Sequence, residues 1–352
     1  MRILIVVIIF ISLLSCSLNS KKNNAQTYST PDGEFIIGID TLNINLKSYV
    51  SPTFDKYYSL THAIKNKNKY YCLFKANKES YKKFLFKISE TGIVEKEIKL
   101  PRDLTNCFYS DLFVFHDTIY SKPYMNDKSY YLDSEKDIWI ETAEPDDVIY
   151  EDERYYVTYL DFGEWGSTTW FKDKLSGKEY ELASSAKIIN KIDKNYYISG
   201  GVRVIKVNNP LEMKQCDKEY YYQIIKKKEF SEGTNSLVGA EIIYKDTTYS
   251  QWDFEEPKQH FITSFKVDNK LFHLCNDSIK TYVAKLQDNK IIPILDFEKK
   301  YSVFNWYFSY RCKIQENTFQ LLKFRNEDEN TFGFIEINGN KINIRYLSLK
   351  NN

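Results

Sequence analysis

Residues 63–74 read AIKNKNKYYCLF: an apolar start, a run of Asn and Lys, and then a strand led by two tyrosines. The polar run is typical of a tight turn, and the residues on both sides favour β-strands. Similar phrases follow: VIYEDERYYVTYL from 148, IINKIDKNYYISG from 188, SFKVDNKLFHLC from 264 and RCKIQENTFQLL from 311. Each phrase predicts an antiparallel hairpin, and their recurrence predicts a chain built of repeated units.

A second hairpin follows in most units, as in YVAKLQDNKIIPILDF, where apolar residues alternate as a strand requires. Four strands in about 40 residues therefore make one unit. We identify six units, at 59–101, 109–144, 146–184, 185–216, 258–297 and 308–349. Their matched aromatic positions are Tyr71, Tyr120, Tyr156, Tyr197, Phe272 and Phe319. The gap between Tyr197 and Phe272, 75 residues (272 minus 197), is much longer than the others.

The long gap indicates either a seventh unit or one large insertion. Residues 217–257 lack the hairpin phrase and begin DKEYYYQIIKKKEF, with Asp217 as a candidate helix N-cap. Tyr221, Ile224, Ile225 and Lys228 would share one face of such a helix. We therefore expect a short helix, inside an insertion that connects the fourth and fifth units, and six units in all.

Repeated four-stranded antiparallel units of this length are typical of a β-propeller. The sequence thus predicts an all-β fold, a six-bladed β-propeller over residues 32–352 with a helical insertion at 217–257. Residues 33–50 could pair with the last unit and help to close the ring. A seven-bladed propeller and tandem β-sandwiches are the alternatives. In its architecture the chain resembles the propeller-like lipoproteins of Bacteroidetes, over nearly its whole length after residue 16.

The N-terminus has the features of an export signal: one Arg, then an apolar run from 3 to 14 that is short for a membrane span. The run ends Leu-Leu-Ser-Cys, which resembles the lipobox of bacterial lipoproteins. That resemblance implies a signal peptide at 1–15 and lipid on Cys16. Residues 16–31 are expected to be a flexible tether. Because no acidic residue follows Cys16 directly, we expect an anchor in the outer membrane that faces the periplasm.

Composition argues against several other functions. The net charge is +1, from 49 basic and 48 acidic residues, so we expect no nucleic-acid partner. Besides Cys16, five cysteines lack the close spacing of zinc sites, namely Cys72, Cys107, Cys216, Cys275 and Cys312. We expect small buried hydrophobes, with one disulfide as the alternative. The acidic clusters 151–153 and 327–329 are expected to be solvated turns rather than calcium sites, and we expect neither a metal nor a cofactor.

One stretch, YLDFGEWGSTTWF at 159–171, holds two of the five Trp and two of the twelve Gly. It lies between the second and third strands of its unit, and in a propeller such loops share a face with the connections between blades. We therefore expect a ligand-binding rim on which this stretch meets the insertion. The candidate residues are Asp161, Glu164, Trp165, Trp252 and Trp306, with Asp253, Glu255 and Glu256 nearby. The alternative is that each Trp only packs its own loop down.

Two function classes remain open. The first is a non-catalytic binding or scaffold lipoprotein that recognises a protein or glycan through the loop-rich face. The second is a carbohydrate-active or other hydrolytic enzyme with carboxylates dispersed over several blades. Residues 163–171 resemble the Asp-box of sialidase-type propellers at Thr169 and Trp170. However, Trp165 stands where the Asp belongs and Ser167 where the Gly belongs, so we assign no activity.

Overall fold

A computed structural model gives the fold of the chain. It describes residues 25–46, 59–75, 82–123, 128–143, 148–186, 188–227, 232–246, 259–303, 319–326, 329 and 331–350. No helix in these ranges is long and apolar enough to cross a membrane. Cys16, Trp252, Trp306, Cys312 and the carboxylates near Trp252 lie outside the described residues, as does the predicted signal peptide.

The described strands form six sheets arranged as blades around a ring. Strands β1 (Gln26–Thr30) and β2 (Gly33–Asn45) come first in the chain and belong to blade six. Blade one contains β3 (Ser59–Asn66), β4 (Lys69–Lys75), β5 (Lys83–Ser89) and β6 (Val94–Ile98). Blade two contains β7 (Ser110–Phe115), β8 (Thr118–Pro123), β9 (Ser129–Asp133) and β10 (Ile138–Thr142).

Blade three contains β11 (Val148–Glu151), β12 (Tyr155–Asp161), β13 (Ser167–Asp173) and β14 (Glu179–Ala183). Blade four begins with β15 (Ile188–Ile192), β16 (Asn195–Ser199) and β17 (Arg203–Val207). The short β18 (Lys214–Gln215) then joins blade three, and β19 (Ala240–Lys245) completes blade four. Blade five contains β20 (His260–Val267), β21 (Lys270–Asn276), β22 (Thr281–Gln287) and β23 (Lys290–Asp296). Blade six contains β24 (Phe319–Asn326), β25 (Thr331–Asn338) and β26 (Lys341–Lys350). The predicted six-bladed propeller is confirmed.

Short helices lie between the strands. Helix α1 is Arg102–Asn106, and α2 is Lys218–Tyr221, which continues into a π-helical turn at Tyr222–Lys226. In the described part of the chain, 3₁₀ turns occupy Gly163–Trp165 and Pro210–Glu212. The predicted helix near residue 217 is therefore confirmed, and the Asp217 carboxylate caps it by accepting from the backbone N–H groups of Glu219 and Tyr220.

The polar turns of the repeated phrase use Asn, Asp, Lys and His where glycine is usual. Both residues of several two-residue turns have positive φ, at Lys67–Asn68, His116–Asp117, Asp268–Asn269 and Asp288–Asn289. Such turns match the twist of the flanking strands, and short polar side chains tolerate the left-handed conformation better than most. A chain with few glycines can therefore still make tight hairpins.

Ring closure depends on a parallel pair of strands from the two ends of the described chain. Ten consecutive residues of β2, from Ile36 to Asn45, pair in register with Lys341–Lys350 of β26. The expectation that this N-terminal region closes the ring is confirmed. The tether prediction was wrong at its end, because residues 26–30 form β1 instead. β1 pairs antiparallel with β2 and covers an edge that would otherwise be unpaired.

The phase of the sixth blade, with Phe319 on its second strand, stays a prediction, and the direction of β24 is consistent with it. Strand β24 runs opposite to the first strand of blade one, since the Lys65 Nζ lies 5.3 Å from the Phe319 ring centre and the Lys323 Nζ donates to the Thr61 carbonyl at 3.0 Å. Opposite direction is the property of a second strand, the position that the sequence predicted for Phe319. The first strand predicted before it lies outside the described residues.

The boundaries of unit four were wrong. We placed four strands in 185–216 and treated 217–257 as a connection between blades. The fourth strand is instead β19, which pairs with β17 between Arg203↔Lys245 and Val207↔Ala240. The insertion therefore begins after Val207 and lies between the third and fourth strands of blade four. Strand β19 was missed because its partner lies more than 30 residues earlier, so no local hairpin pattern marks it.

The two faces of the ring differ. We call the side with the connections between strands one and two, and between strands three and four, the turn face. The opposite side, with the other connections, is the loop face. On the turn face each blade is linked to the next by a polar contact: Asn66–Asp117, His116–Glu151, Lys191–Asp152, Asn269–Asp193, Lys285–Asp32 and Tyr70–Glu336. Apolar clusters fill the space between blades, as where Tyr70 meets Phe334 at 4.8 Å between ring centres.

Candidate ligand-binding rim

The stretch 159–171 forms a strand hairpin with a short 3₁₀ tip. Strands β12 and β13 pair without a register shift from Tyr155↔Asp173 to Asp161↔Ser167. At the tip, the Asp161 carboxylate accepts from the backbone N–H of Gly163 at 2.9 Å, and the N–H of Phe162 donates to the Gly166 carbonyl at 2.8 Å. Gly163 and Gly166 both have positive φ, so this tip requires its two glycines.

The base of the hairpin holds the insertion. Trp170 is fully buried and packs with Cys216 and with Ile224, which is on the π-helical turn. Leu160, Phe162, Tyr220 and Tyr221 pack around this cluster. The ring of Tyr221 meets that of Trp170 edge to face, with the centres 5.9 Å apart. The aromatic residues at the base of the stretch therefore dock a segment of the same chain.

A second contact lies at the tip. The backbone N–H of Gly233 donates to the Trp165 carbonyl at 2.8 Å, and the N–H of Thr234 donates to the Thr168 Oγ1 at 2.8 Å. A Cβ added to Gly233 would lie 2.6 Å from the Ser167 nitrogen, so only glycine allows this approach. We call the surface made by 159–171 and by the described residues of 217–239 the blade-three rim.

A buried carboxylate fastens the insertion to the outer edge of blade three. Glu181 on β14 is almost fully buried and accepts from the Lys214 Nζ at 2.7 Å and from the Thr234 hydroxyl at 2.8 Å. Both donors come from the insertion, and β18 pairs with β14 beside them. Because these partners of the buried carboxylate, among the residues that the structure describes, lie on the insertion, the charge favours the docked position strongly.

The predicted rim residues have different outcomes. Trp165 lies at the tip with 48 % of its surface exposed, and Asp161 and Glu164 beside it are exposed. Trp165 does meet the insertion, at Gly233. The predicted reason for this contact was that the insertion connects two blades on the same face as the hairpin tip, and that reason was wrong. The insertion instead leaves blade four on the turn face and then follows the edge of blade three to the tip. Whether Trp252 and Trp306 join the rim stays a prediction, since both lie outside the described residues.

Ionisation at the rim is set mainly by burial. Burial raises the pKa of Tyr159, and the nearby Asp161 carboxylate raises it further, so this phenol stays neutral and can donate. Burial also raises the pKa of the Cys216 thiol to about 12, with Glu181 adding to the rise. Cys216 is therefore a packing residue at neutral pH rather than a nucleophile.

No group of three or more His, Cys, Asp or Glu that could hold a metal occurs in the ranges that the structure describes. Cys72, Cys107, Cys216 and Cys275 form no disulfide. In the acidic cluster 151–153, Asp152 bonds to the Lys191 Nζ and the Tyr196 hydroxyl, and Glu151 bonds to the Lys174 Nζ.

Sequence reasoning missed the residues that hold the rim together: Glu181, Lys214, Gly233 and Thr234. Gly233 offered a signal, since a glycine is uncommon in this chain and it lies in the run SEGTNS. No sequence signal marked Glu181, Lys214 or Thr234, because their contacts join segments that are 33 and 53 residues apart.

No protein-family model and no curated protein matches the chain. Among solved structures, a post-proline cleaving enzyme of Rickettsia typhi is similar with a TM-score of 0.33 and 11% identity over 81% of this chain. The chain spans only 44% of that enzyme. A Bacteroides fragilis protein described as exported has a TM-score of 0.33 and 11% identity over 81% of this chain and 88% of its own. The Swd1 β-propeller domain of Myceliophteria thermophila has a TM-score of 0.31 and 10% identity, over 76% of this chain and 79% of its own.

Proposed function

We propose that the protein is a lipid-anchored, non-catalytic binding module of the bacterial cell envelope that holds a protein or glycan ligand on the blade-three rim. The observation that carries the proposal is the position of Trp165. Trp165 is 48 % exposed, whereas Tyr159, Trp170 and Phe171 of the same hairpin are buried. The carboxylates of Asp161 and Glu164 lie beside it in sequence and are also exposed.

Hydrogen bonds hold the tip that presents this ring. The Trp165 carbonyl is bonded to Gly233, and Asp161 caps the turn that carries it. When a ligand stacks on a ring that is already ordered, little binding free energy is lost to ordering that ring. Exposed aromatic rings with a few polar groups suit both sugars and peptides.

The first experiment compares Trp165→Ala with Ile279→Ala. Ile279 is 80% exposed at the matched loop of blade five, where Asp277 caps the turn as Asp161 does in blade three. Detergent-solubilised full chain is tested for binding to immobilised envelope polysaccharides and to an envelope-protein fraction. Burial of an aromatic ring contributes about 2 kcal/mol, so we expect Trp165→Ala to weaken binding by roughly 10- to 30-fold.

Ile279→Ala should change binding less than twofold. Equal losses in the two variants, or none in Trp165→Ala, would contradict a role for the rim. The panel member that is bound decides between glycan and protein.

The second experiment tests the anchor. We propose that Cys16 carries the lipid, as the sequence Leu-Leu-Ser-Cys before it supports. Cys16→Ser should abolish incorporation of labelled fatty acid and release the mature chain from the membrane fraction. A variant that stays in the membrane fraction without acyl label would show that another segment anchors the protein.

A further inference from the structure

A buried lysine lies at the loop-face end of blade one, and no carboxylate of the described residues pairs with it. Lys83, the first residue of β5, is 5% exposed. Its Nζ donates to the Cys107 Sγ and to the Ser110 Oγ, both at 3.2 Å. Within the described residues, no Asp or Glu oxygen lies within 4.0 Å of this nitrogen. A buried ammonium held only by a thiol and a hydroxyl is costly, because neither group neutralises its charge.

Further basic groups lie around it. The Lys323 Nζ donates to the Thr61 carbonyl at 3.0 Å, and the adjacent His62 Nε2 lies 3.2 Å from the Tyr109 hydroxyl. A β-bulge between Leu60 and His62 displaces this part of the innermost strand of blade one. Bulges of this kind often redirect side chains next to binding sites. Lys83, His62 and Lys323 thus converge where blades one, two and six meet.

The charges of Lys83 and Lys323 both act on the pKa of His62. Burial holds the pKa of His62 well below its usual value, and the charges of Lys323 and Lys83 lower it further. Burial likewise lowers the pKa of Lys83, and it lowers that of Lys323 to about 8, with Arg325 contributing. At neutral pH His62 is therefore uncharged, and the positive charge is on the two lysines.

We propose that Lys83, with Ser110 and Lys323, binds an oxyanion, the carboxylate or phosphate group of a small ligand. An oxyanion at this position would accept from the Lys83 ammonium and the Ser110 hydroxyl and would neutralise the buried charge. Cys107, whose Sγ lies 3.2 Å from the Lys83 Nζ, is partly exposed to solvent. This site is separate from the blade-three rim and does not depend on it.

Two other states of Lys83 would account for the same geometry. The amine could be neutral, in which case it would have no preference for an anion. It could also be paired with a Cys107 thiolate, in which case the sulfur would already supply the negative charge. Each state predicts a different result with the same three variants.

The probes are inorganic phosphate and acetate, and the measurement is thermal unfolding of the detergent-solubilised full chain against sodium chloride of equal ionic strength. We expect both anions to raise the Tm of the wild-type protein in a saturable way. Lys83→Met should raise the half-saturating concentration at least tenfold, as expected when a charge-assisted hydrogen bond is lost. Cys107→Ser, which keeps a polar neighbour, should leave it within twofold.

Lys128→Met is the matched control, because Lys128 pairs with Glu141 at the surface of blade two, and it should behave as wild type. If Lys83→Met fails to fold, Lys323→Met replaces it with the same expected direction. The proposal is overturned if neither anion stabilises the wild type beyond chloride, or if Lys83→Met binds as well as wild type. It is also overturned if Cys107→Ser creates anion binding that the wild type lacks, which would identify the thiolate pair.

Discussion

On the turn face, blade five joins β20 to β21 through two residues, Asp268 and Asn269. On the loop face, blade three joins β12 to β13 through residues 162–166, and the end of that hairpin bonds to a residue 66 positions further along the chain. The turn face is thus built of local turns that are linked to their neighbours around the ring. The loop face at blade three depends on a segment that arrives from another blade.

This difference indicates how stability and binding are divided. The turn-face links involve every pair of neighbouring blades, so a change there should affect unfolding of the whole ring. The blade-three rim is held by contacts between one hairpin and one insertion, so a change there should release the insertion while the blades stay folded. Four substitutions test this division, from the largest expected effect to the smallest.

The largest effect is expected at ring closure. Arg345 bonds to the buried Glu336 at 2.8 Å and to Asp40 at 3.1 Å. Arg345→Met would leave two carboxylates short of a partner, and breaking a buried ion pair costs about 3 kcal/mol or more. We expect the free energy of unfolding in urea to fall by about that amount. Lys128→Met, which breaks an exposed pair, should leave the free energy of unfolding nearly unchanged, and similar losses in the two variants would contradict the comparison.

Next is Gly233, on the loop face. Gly233→Ala places a methyl group against the Ser167 nitrogen and the Gly166 carbonyl carbon, 2.6 and 2.9 Å away. Such overpacking costs about 2 kcal/mol, which should be lost from docking of the insertion rather than from the ring. Hydrogen exchange should speed up at 217–239 and at Thr168, whereas the strands of blade six keep their protection. Asn235→Ala, at an exposed neighbour, is the control. Faster hydrogen exchange in the strands of all blades would contradict the expectation that Gly233→Ala releases only the insertion.

Acid should weaken the turn face through Asp152. Burial opposes ionisation of this carboxyl, but hydrogen bonds from Lys191, the Tyr155 N–H and the Tyr196 hydroxyl outweigh it and lower the pKa to about 2. A carboxyl with a lowered folded pKa stabilises the fold above its unfolded value of 3.8 and loses that contribution as the pH falls toward 2.

We therefore expect Asp152→Asn to be less stable than wild type at pH 6 by about 1–2 kcal/mol, allowing for screening at the surface. The difference should shrink steadily between pH 4 and pH 2. Unfolding in urea at a series of pH values measures it. A gap between the two proteins that stays constant down to pH 2 would contradict the pairing.

The smallest effect is expected at a single turn. Asn289 has a φ of 58° in the β22–β23 turn. Asn289→Val should cost about 1 kcal/mol, since a β-branched residue is strained there, whereas Asn289→Gly should be neutral or slightly stabilising. Urea unfolding of both variants gives the sign. If Val and Gly behave alike, backbone strain is not what selects Asn at this turn.

The sequence by itself determined the features whose causes are local. A hairpin such as AIKNKNKYYCLF carries its two strands and its turn within twelve residues, so alternation and turn residues suffice to recognise it. The Asp217 cap is local in the same way, since the carboxylate bonds to N–H groups two and three residues later. The blade count, the closing strand β2 and the exposed tip of 159–171 followed from such patterns.

Only the tertiary structure decided where strands without a nearby partner go. The end strand β1, the fourth strand of blade four and the path of the insertion all depend on edges supplied by distant segments. Glu181 and Lys83 likewise acquire their surroundings from residues 24 to 53 positions away. A strand edge or a buried charge accepts any partner of suitable geometry, and the partner is chosen when the whole ring closes.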